Sequence, residues 1–255
     1  MATTAEPANA PKAMNKPTTA KGWGTDAPDQ PLPACAAAAA MQTALRPWRR
    51  FSTDAGAMSL RMSVGVAAGD IHAFLVGERH RELLIGGPVV SRVVSLEAVA
   101  AAGEIVIDKA IAATLDEREL GAVKADGRLL RRSPVRALTT ASEPIEVDVS
   151  IGIPVALREY LTQRLDDGEH RQAVLTFVQF KGLDTLLSNE GPTAATDALD
   201  ELVRRVQRAC DAHGVCFLAT DLDGDGGKIL LVAGAPAASP DDADRTFVSL
   251  LDVLS

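Results

Sequence analysis

The chain has 255 residues, 47% hydrophobic and 24% charged, a globular composition with room for one large domain or two small ones. That excludes a collagen, a disulfide scaffold and a wholly disordered chain, and a net charge of −8 argues against nucleic acid or an anionic membrane as the main partner. A small phosphorylated ligand stays open.

Residues 1–33, rich in Pro, Thr, Ala and Asn, carry too little apolar surface to offset the entropy of ordering them and are expected to be a disordered tail. Cys35 to Trp48 reads as an Ala-rich helix stopped by Pro47. Leu60 to Val66 alternates at period two and Ile71 to Val76 is the next apolar run, so Gly69-Asp70 between them predicts a tight hairpin. Glu82 to Ile85 is a short strand ending at Gly86-Gly87-Pro88. A helix then follows with Val89, Val93, Leu96 and Val99 on its stripe. Glu104 to Ile107 is a β-branched strand, Lys109 to Leu115 a short helix, and Gly121 to Leu130 a strand or hairpin around Asp126-Gly127. Residues 132–155, dominated by Ser, Thr, Pro and Glu, form the expected linker between a segment 34–131 and a segment 156–255.

The second segment opens with a helix, Ala156 to Leu165, and a strand, Ala173 to Phe180. A short helix spans Lys181 to Ser188. A longer one opens at Gly191-Pro192, with Ala195, Leu199, Leu202, Val203, Val206 and Cys210 on one face and Gly214 as its C-cap. Val215 to Ala219 and Lys228 to Ala233 form a hairpin across the turn Asp221 to Gly227, and Asp241 to Leu254 is the last helix.

Cys35, Cys210 and Cys216 lack C-x-x-C spacing and are an odd number, which predicts buried thiols in a reducing cytoplasm. No apolar run reaches about 18 residues, so no membrane span is expected. Asp221-x-Asp223-x-Asp225-Gly226 matches the first half of a calcium loop, but the twelfth position is Val232 rather than Glu. It reads either as an acidic hairpin turn or as a metal contact through Asp223 and Asp225. Gly226-Gly227-Lys228 lacks P-loop spacing, His72, His80, His170 and His213 show no i, i+4 pairing, and neither G-x-S-x-G nor H-E-x-x-H occurs.

The stretch LTFVQFKGLD (175–184), the helix ending at His213-Gly214, the hairpin to LVAGAP (231–236) and DDADR (241–245) together resemble the first half of a class III adenylate/guanylate cyclase homology domain. LRMSVGVAAG (60–69), VGERHRELLIGG (76–87) and AGEIVI (102–107) resemble the second half of another. The likeness is closest to bacterial tandem cyclase-like regions, related to soluble adenylyl cyclases, that accompany regulator modules. It implies an α+β, ferredoxin-like fold in two partial halves that assemble as one permuted domain, with strand 173–180 pairing in one sheet with strands from 60–76.

In that family two metal ions held by two Asp carboxylates activate the ribose hydroxyl of ATP or GTP. The resemblance places those positions at Gln179 and Gly227, which supply no anionic oxygen, and finds no Lys between Lys181 and Lys228 to select the base. The Asn and Arg positions of the helix after Gly87 fall on Ser91 and Ser95, with Arg92 placed to contact phosphate. What the resemblance implies is a cytoplasmic, catalytically degenerate cyclase-homology signalling protein acting through dimerisation or nucleotide sensing, as a homodimer or with another cyclase-homology chain. The alternatives are a cyclase subunit using ATP or GTP with Mg²⁺ or Mn²⁺ beside a partner chain, and a remnant of a longer regulator.

Overall fold

A computed structural model describes residues 31–134, 148–162 and 170–255. Most of the expected tail, the middle of the expected linker (135–147) and the end of the helix expected at 156–165 lie outside these residues.

The first helix, α1 (Pro31–Ala44), starts earlier than expected because Pro31 and Pro33 sit in the first turn, where a missing N–H costs nothing. A 3-10 turn, Arg46–Arg49, follows it. Strands β1 (Phe51–Thr53) and β2 (Gly56–Met58) then form a small exposed hairpin that the sequence pattern does not announce.

Next come β3 (Val64–Val66), β4 (His72–Val76), β5 (Glu82–Gly86), α2 (Pro88–Val99), β6 (Ile105–Asp108), α3 (Lys109–Ala112), β7 (Leu120–Lys124) and β8 (Gly127–Leu130). The expected hairpin across Gly69-Asp70 does not form: β3 pairs parallel with β6, while β4 pairs antiparallel with β5. Val64 and Val66 pack with Ile105 and Ile107 under α1, whereas Phe74 and Val76 enter a different core. Period-two alternation is identical in either pairing, so it cannot name the partner strand.

The sheet β3-β6-β8-β7 lies between two helices. On one face Cys35 and Ala38 of α1 meet Ile105, Ile107, Ile111 and Leu120. On the other, α2 lies so close to β3 that a Cβ on Gly65 would stand 2.7 Å from the Glu97 nitrogen.

After the linker come α4 (Val155–Thr162), β9 (Val174–Lys181), α5 (Leu183–His213), β10 (Cys216–Asp223), β11 (Gly226–Ala233) and α6 (Asp242–Leu254). α5 is two helices merged across Gly191, whose φ of 85° precedes Pro192 and breaks the ladder where the sequence places the boundary. The sheet order is β10-β11-β9, and the turn between β10 and β11 is tighter than expected, since Asp221 and Asp223 remain in the strand.

Strand β9 pairs with β11 and with no strand of 60–76, so the expected shared sheet is not present. The segments meet through side chains instead. Phe74, Val76 and Leu84 of the β4–β5 hairpin are buried with Leu199, Val203 and Val206 of α5 and with Phe217, Ile229 and Leu231 of β10 and β11. The α+β class holds, with packing rather than strand pairing joining the segments.

The loop 77–81 is clasped by α5. Gln207, 1% exposed, accepts the Glu78 and Arg79 N–H groups on Oε1 (2.9 and 3.1 Å) and donates Nε2 to the His80 carbonyl at 2.9 Å. Asp200 accepts the Gly77 N–H at 2.9 Å, and His80, buried edge-on against Phe217, meets Glu82 at 2.9 Å. Gln207→Ala is expected to lower stability by about 2–3 kcal/mol in urea unfolding, because it leaves two part-buried backbone donors and the buried His80 carbonyl unmatched together.

All three cysteines are buried and free, as the sequence predicts. Burial pushes the Cys35 and Cys216 thiols up to about 11 and Cys210 to about 12, against an ordinary 9.0. The unfolded chain therefore loses these protons first. Stability from this source is complete below pH 9.0 and is expected to fall as pH rises toward about 11 to 12, read as a declining urea midpoint.

Candidate functional site

Of the sequence-predicted residues, Ser91, Arg92, Ser95, Asp223 and Asp225 fall at two places along α2. At the first, the start of α2 meets the start of α5 and the β10–β11 turn. Ser91 donates its hydroxyl to the Asp184 carboxylate and accepts the Asp225 N–H at 3.0 Å, so one side chain bridges the two segments.

Asp225 occupies the left-handed region (φ 58°) at the turn. Its Oδ1 accepts the Asp184 N–H at 2.8 Å and its carbonyl accepts the Gly182 N–H at 2.7 Å, which caps α5 and closes the hairpin against it. Asp223 accepts the Gly224 N–H at 2.8 Å on Oδ1 and faces Lys228 Nζ at 3.3 Å through Oδ2. The backbone bond first, and Lys228 second, hold its carboxyl below the usual carboxylate range. The two carboxylates are thus engaged in different directions, and among the described residues no group of three or more His, Cys, Asp or Glu is arranged to hold a metal ion.

Gln179 and Gly227 do not converge either. Gln179 stands opposite Lys228 on the exposed face of the sheet, while Gly227 stands opposite Phe180. Residues directly opposite in an antiparallel ladder share a face and successive residues alternate, so the two positions project to opposite sides. A Cβ on Gly227 would lie 2.7 Å from the Phe180 ring and 2.6 Å from the Asp221 carbonyl, so even the smallest side chain requires repacking.

At the second place, Arg92 and Ser95 line a cavity of about 520 Å³ with Leu96, Val99, Lys109 and Asp126. Arg92 reaches Asp108 at 3.4 Å. Asp108, 2% exposed, caps α3 through the Ile111 N–H at 2.8 Å and also accepts the Ala68 N–H at 3.2 Å. Lys109 and Asp126 pair at 3.1 Å, so the charges of this cavity are nearly balanced. Ser95 donates to the Ser91 carbonyl at 2.9 Å, within its own helix.

Asp184 and Asp108 were not singled out by sequence. Asp184 stands one residue after Gly182-Leu183 and Asp108 directly before a short helix, and a helix-start position was the only signal available for either. What this arrangement can do chemically is bind and position: the Ser91 hydroxyl is committed to the Asp184 carboxylate in the bridge between the segments, and Asp225 and Asp223 are engaged in separate contacts. Among the described residues no helix is long and apolar enough to cross a membrane. Comparison with known proteins finds no family model matching the chain and no curated protein matching it.

Ser91→Ala removes the bridge while leaving the Asp225 cap intact. The expected cost is roughly 1–2 kcal/mol, read by urea unfolding, while Ser95→Ala, whose bond is internal to α2, is expected to leave stability nearly unchanged.

Proposed function

We propose that the chain is a catalytically degenerate cyclase-homology signalling protein of ferredoxin-like fold, acting through dimerisation or nucleotide sensing. The observation that carries this reading is the Ser91 bridge: α2 meets the β10–β11 turn where the resemblance puts catalysis, and the carboxylates there are committed to capping and to Lys228. The succession β9, α5, β10, β11, α6 with sheet order β10-β11-β9 supports the ferredoxin-like part. Arg92, half exposed in its cavity, is the side chain that offers a cation to a nucleotide phosphate.

A cyclase working with two metals loses several kcal/mol of transition-state stabilisation when a metal position lacks its carboxylate. The chain alone, given ATP or GTP with Mg²⁺ or Mn²⁺, is therefore expected to make no cyclic nucleotide. Calorimetry is expected to show binding heat with either nucleotide that Arg92→Ala abolishes, or sedimentation to show a dimer. Cyclic nucleotide production lost on Asp223→Asn would overturn the degenerate reading in favour of a working cyclase subunit. A monomer giving no Arg92-dependent heat would overturn the signalling reading.

A further inference from the structure

A second cavity, of about 630 Å³, lies on the α1 side of the sheet β3-β6-β8-β7, across that sheet from Arg92. Four arginines line it: Arg46 and Arg49 from the 3-10 turn after α1, and Arg131 and Arg132 from the chain leaving β8. Three residues make one turn of a 3-10 helix, so Arg46 and Arg49 project from the same side. Their backbones are anchored. The Trp48 N–H donates to the Leu45 carbonyl at 3.0 Å, and the Arg131 and Arg132 N–H groups donate to the Glu119 carbonyl at 2.7 and 3.2 Å.

Among the described residues none of these four guanidiniums has an ion-pair or hydrogen-bond partner for its side chain. The other polar groups of the lining are spent. Gln42 donates to the Met62 carbonyl at 2.6 Å, Thr43 donates to the Ala39 carbonyl at 2.9 Å, and the Glu104 carboxylate is taken by Lys124 and by the Ala101 N–H at 2.7 Å. Lys124, and next the Ala101 bond, hold the Glu104 carboxyl below its usual range, so its charge is already answered. A chain of net charge −8 thus gathers around one concavity four arginines whose side chains have no partner among the described residues.

We infer that this cavity is a binding site for a small polyphosphate-bearing ligand. Guanidinium groups bind phosphate through paired N–H donors, and a volume within about 300–1,000 Å³ suits a ligand of nucleotide size rather than a single phosphate. The acidic remainder of the surface disfavours a long polyanion, which would have to run past it, and a cluster confined to one concavity favours a compact one. The inference goes beyond the proposed function, because it uses none of the residues of the α2 site.

Inorganic phosphate, pyrophosphate and tripolyphosphate, without metal, are the probes. Trp48, between Arg46 and Arg49, is the fluorescent reporter in a Trp23→Phe chain, with calorimetry alongside. Affinity is expected to rise from phosphate to pyrophosphate to tripolyphosphate. Arg46→Ala and Arg131→Ala are each expected to weaken tripolyphosphate binding roughly tenfold or more, with partial recovery in the Lys variants. Arg118→Ala, which removes the same charge from an exposed pair elsewhere, is expected to change it less than about twofold. Equal affinity for phosphate and tripolyphosphate, insensitivity to Arg46→Ala and Arg131→Ala, or binding of an oligonucleotide in place of tripolyphosphate would each overturn the inference. Heat lost only in Arg92→Ala would assign binding to the α2 cavity and overturn it likewise, leaving the proposed function standing.

Discussion

The seating of residues 77–81 on α5 is what makes the two chain segments one packed structure. Two energetic contributions act there, and they do different work. Phe74, Val76 and Leu84 are each withdrawn almost completely from water, and burial of such side chains stabilises by roughly 1.5–3 kcal/mol apiece. The hydrogen bonds of Gln207 contribute about 1 kcal/mol each in net terms, yet leaving the buried His80 carbonyl among their partners unmatched costs more. Burial therefore holds the hairpin down, and Gln207 fixes where along α5 it sits. The ion pairs around the rim, Arg204 and Arg208 with Glu78, are partly exposed and add little by comparison.

That seating sets the position of α2. The helix begins two residues after β5 ends, so a hairpin fixed on α5 delivers Ser91 to the β10–β11 turn without freedom to choose another contact. On its other side α2 is pressed against Gly65 of β3, which carries it into the sheet that α1 covers from behind. The cavities described above stand on opposite faces of that sheet for this reason. One is lined by α2, and the other by the exit of α1 and the end of β8.

Local signals made much of this visible in the sequence. The α2 stripe, the hairpin at Asp126-Gly127, the break at Gly191-Pro192 and the cap at Gly214 all depend on residues close together in the chain, and each occurs where expected. Strand partners were not legible. β3 and β4 have the same alternation as a hairpin would, and only the shapes of two separate cores decide that they part. β1 and β2 are exposed along nearly their whole length, so no apolar face marked them. In the candidate site the residue types were readable and their commitments were not. The acidic turn looked like free carboxylates, yet Asp225 is taken up in ordering the start of α5, forty residues away in sequence.

Those commitments bear on what α2 can transmit under the proposed function. Arg92 and Ser91 are adjacent on one helix, the first held by Asp108 in the cavity and the second by Asp184 and the Asp225 turn. A phosphate drawn to Arg92 competes with Asp108, and Asp108 also caps α3 and receives the Ala68 N–H on the chain leading to β4. A ligand shifts an equilibrium only by its difference in affinity for two arrangements. Here the two arrangements differ in the partner of Arg92, and the cost of exchanging it is modest because the guanidinium is already half exposed and sits 3.4 Å from its carboxylate. The Asp225 cap and the Gln207 clasp do not take part in that exchange, so the segments stay packed while α2 adjusts. Such a division suits a module that binds and reports, with its carboxylates assigned to holding the fold.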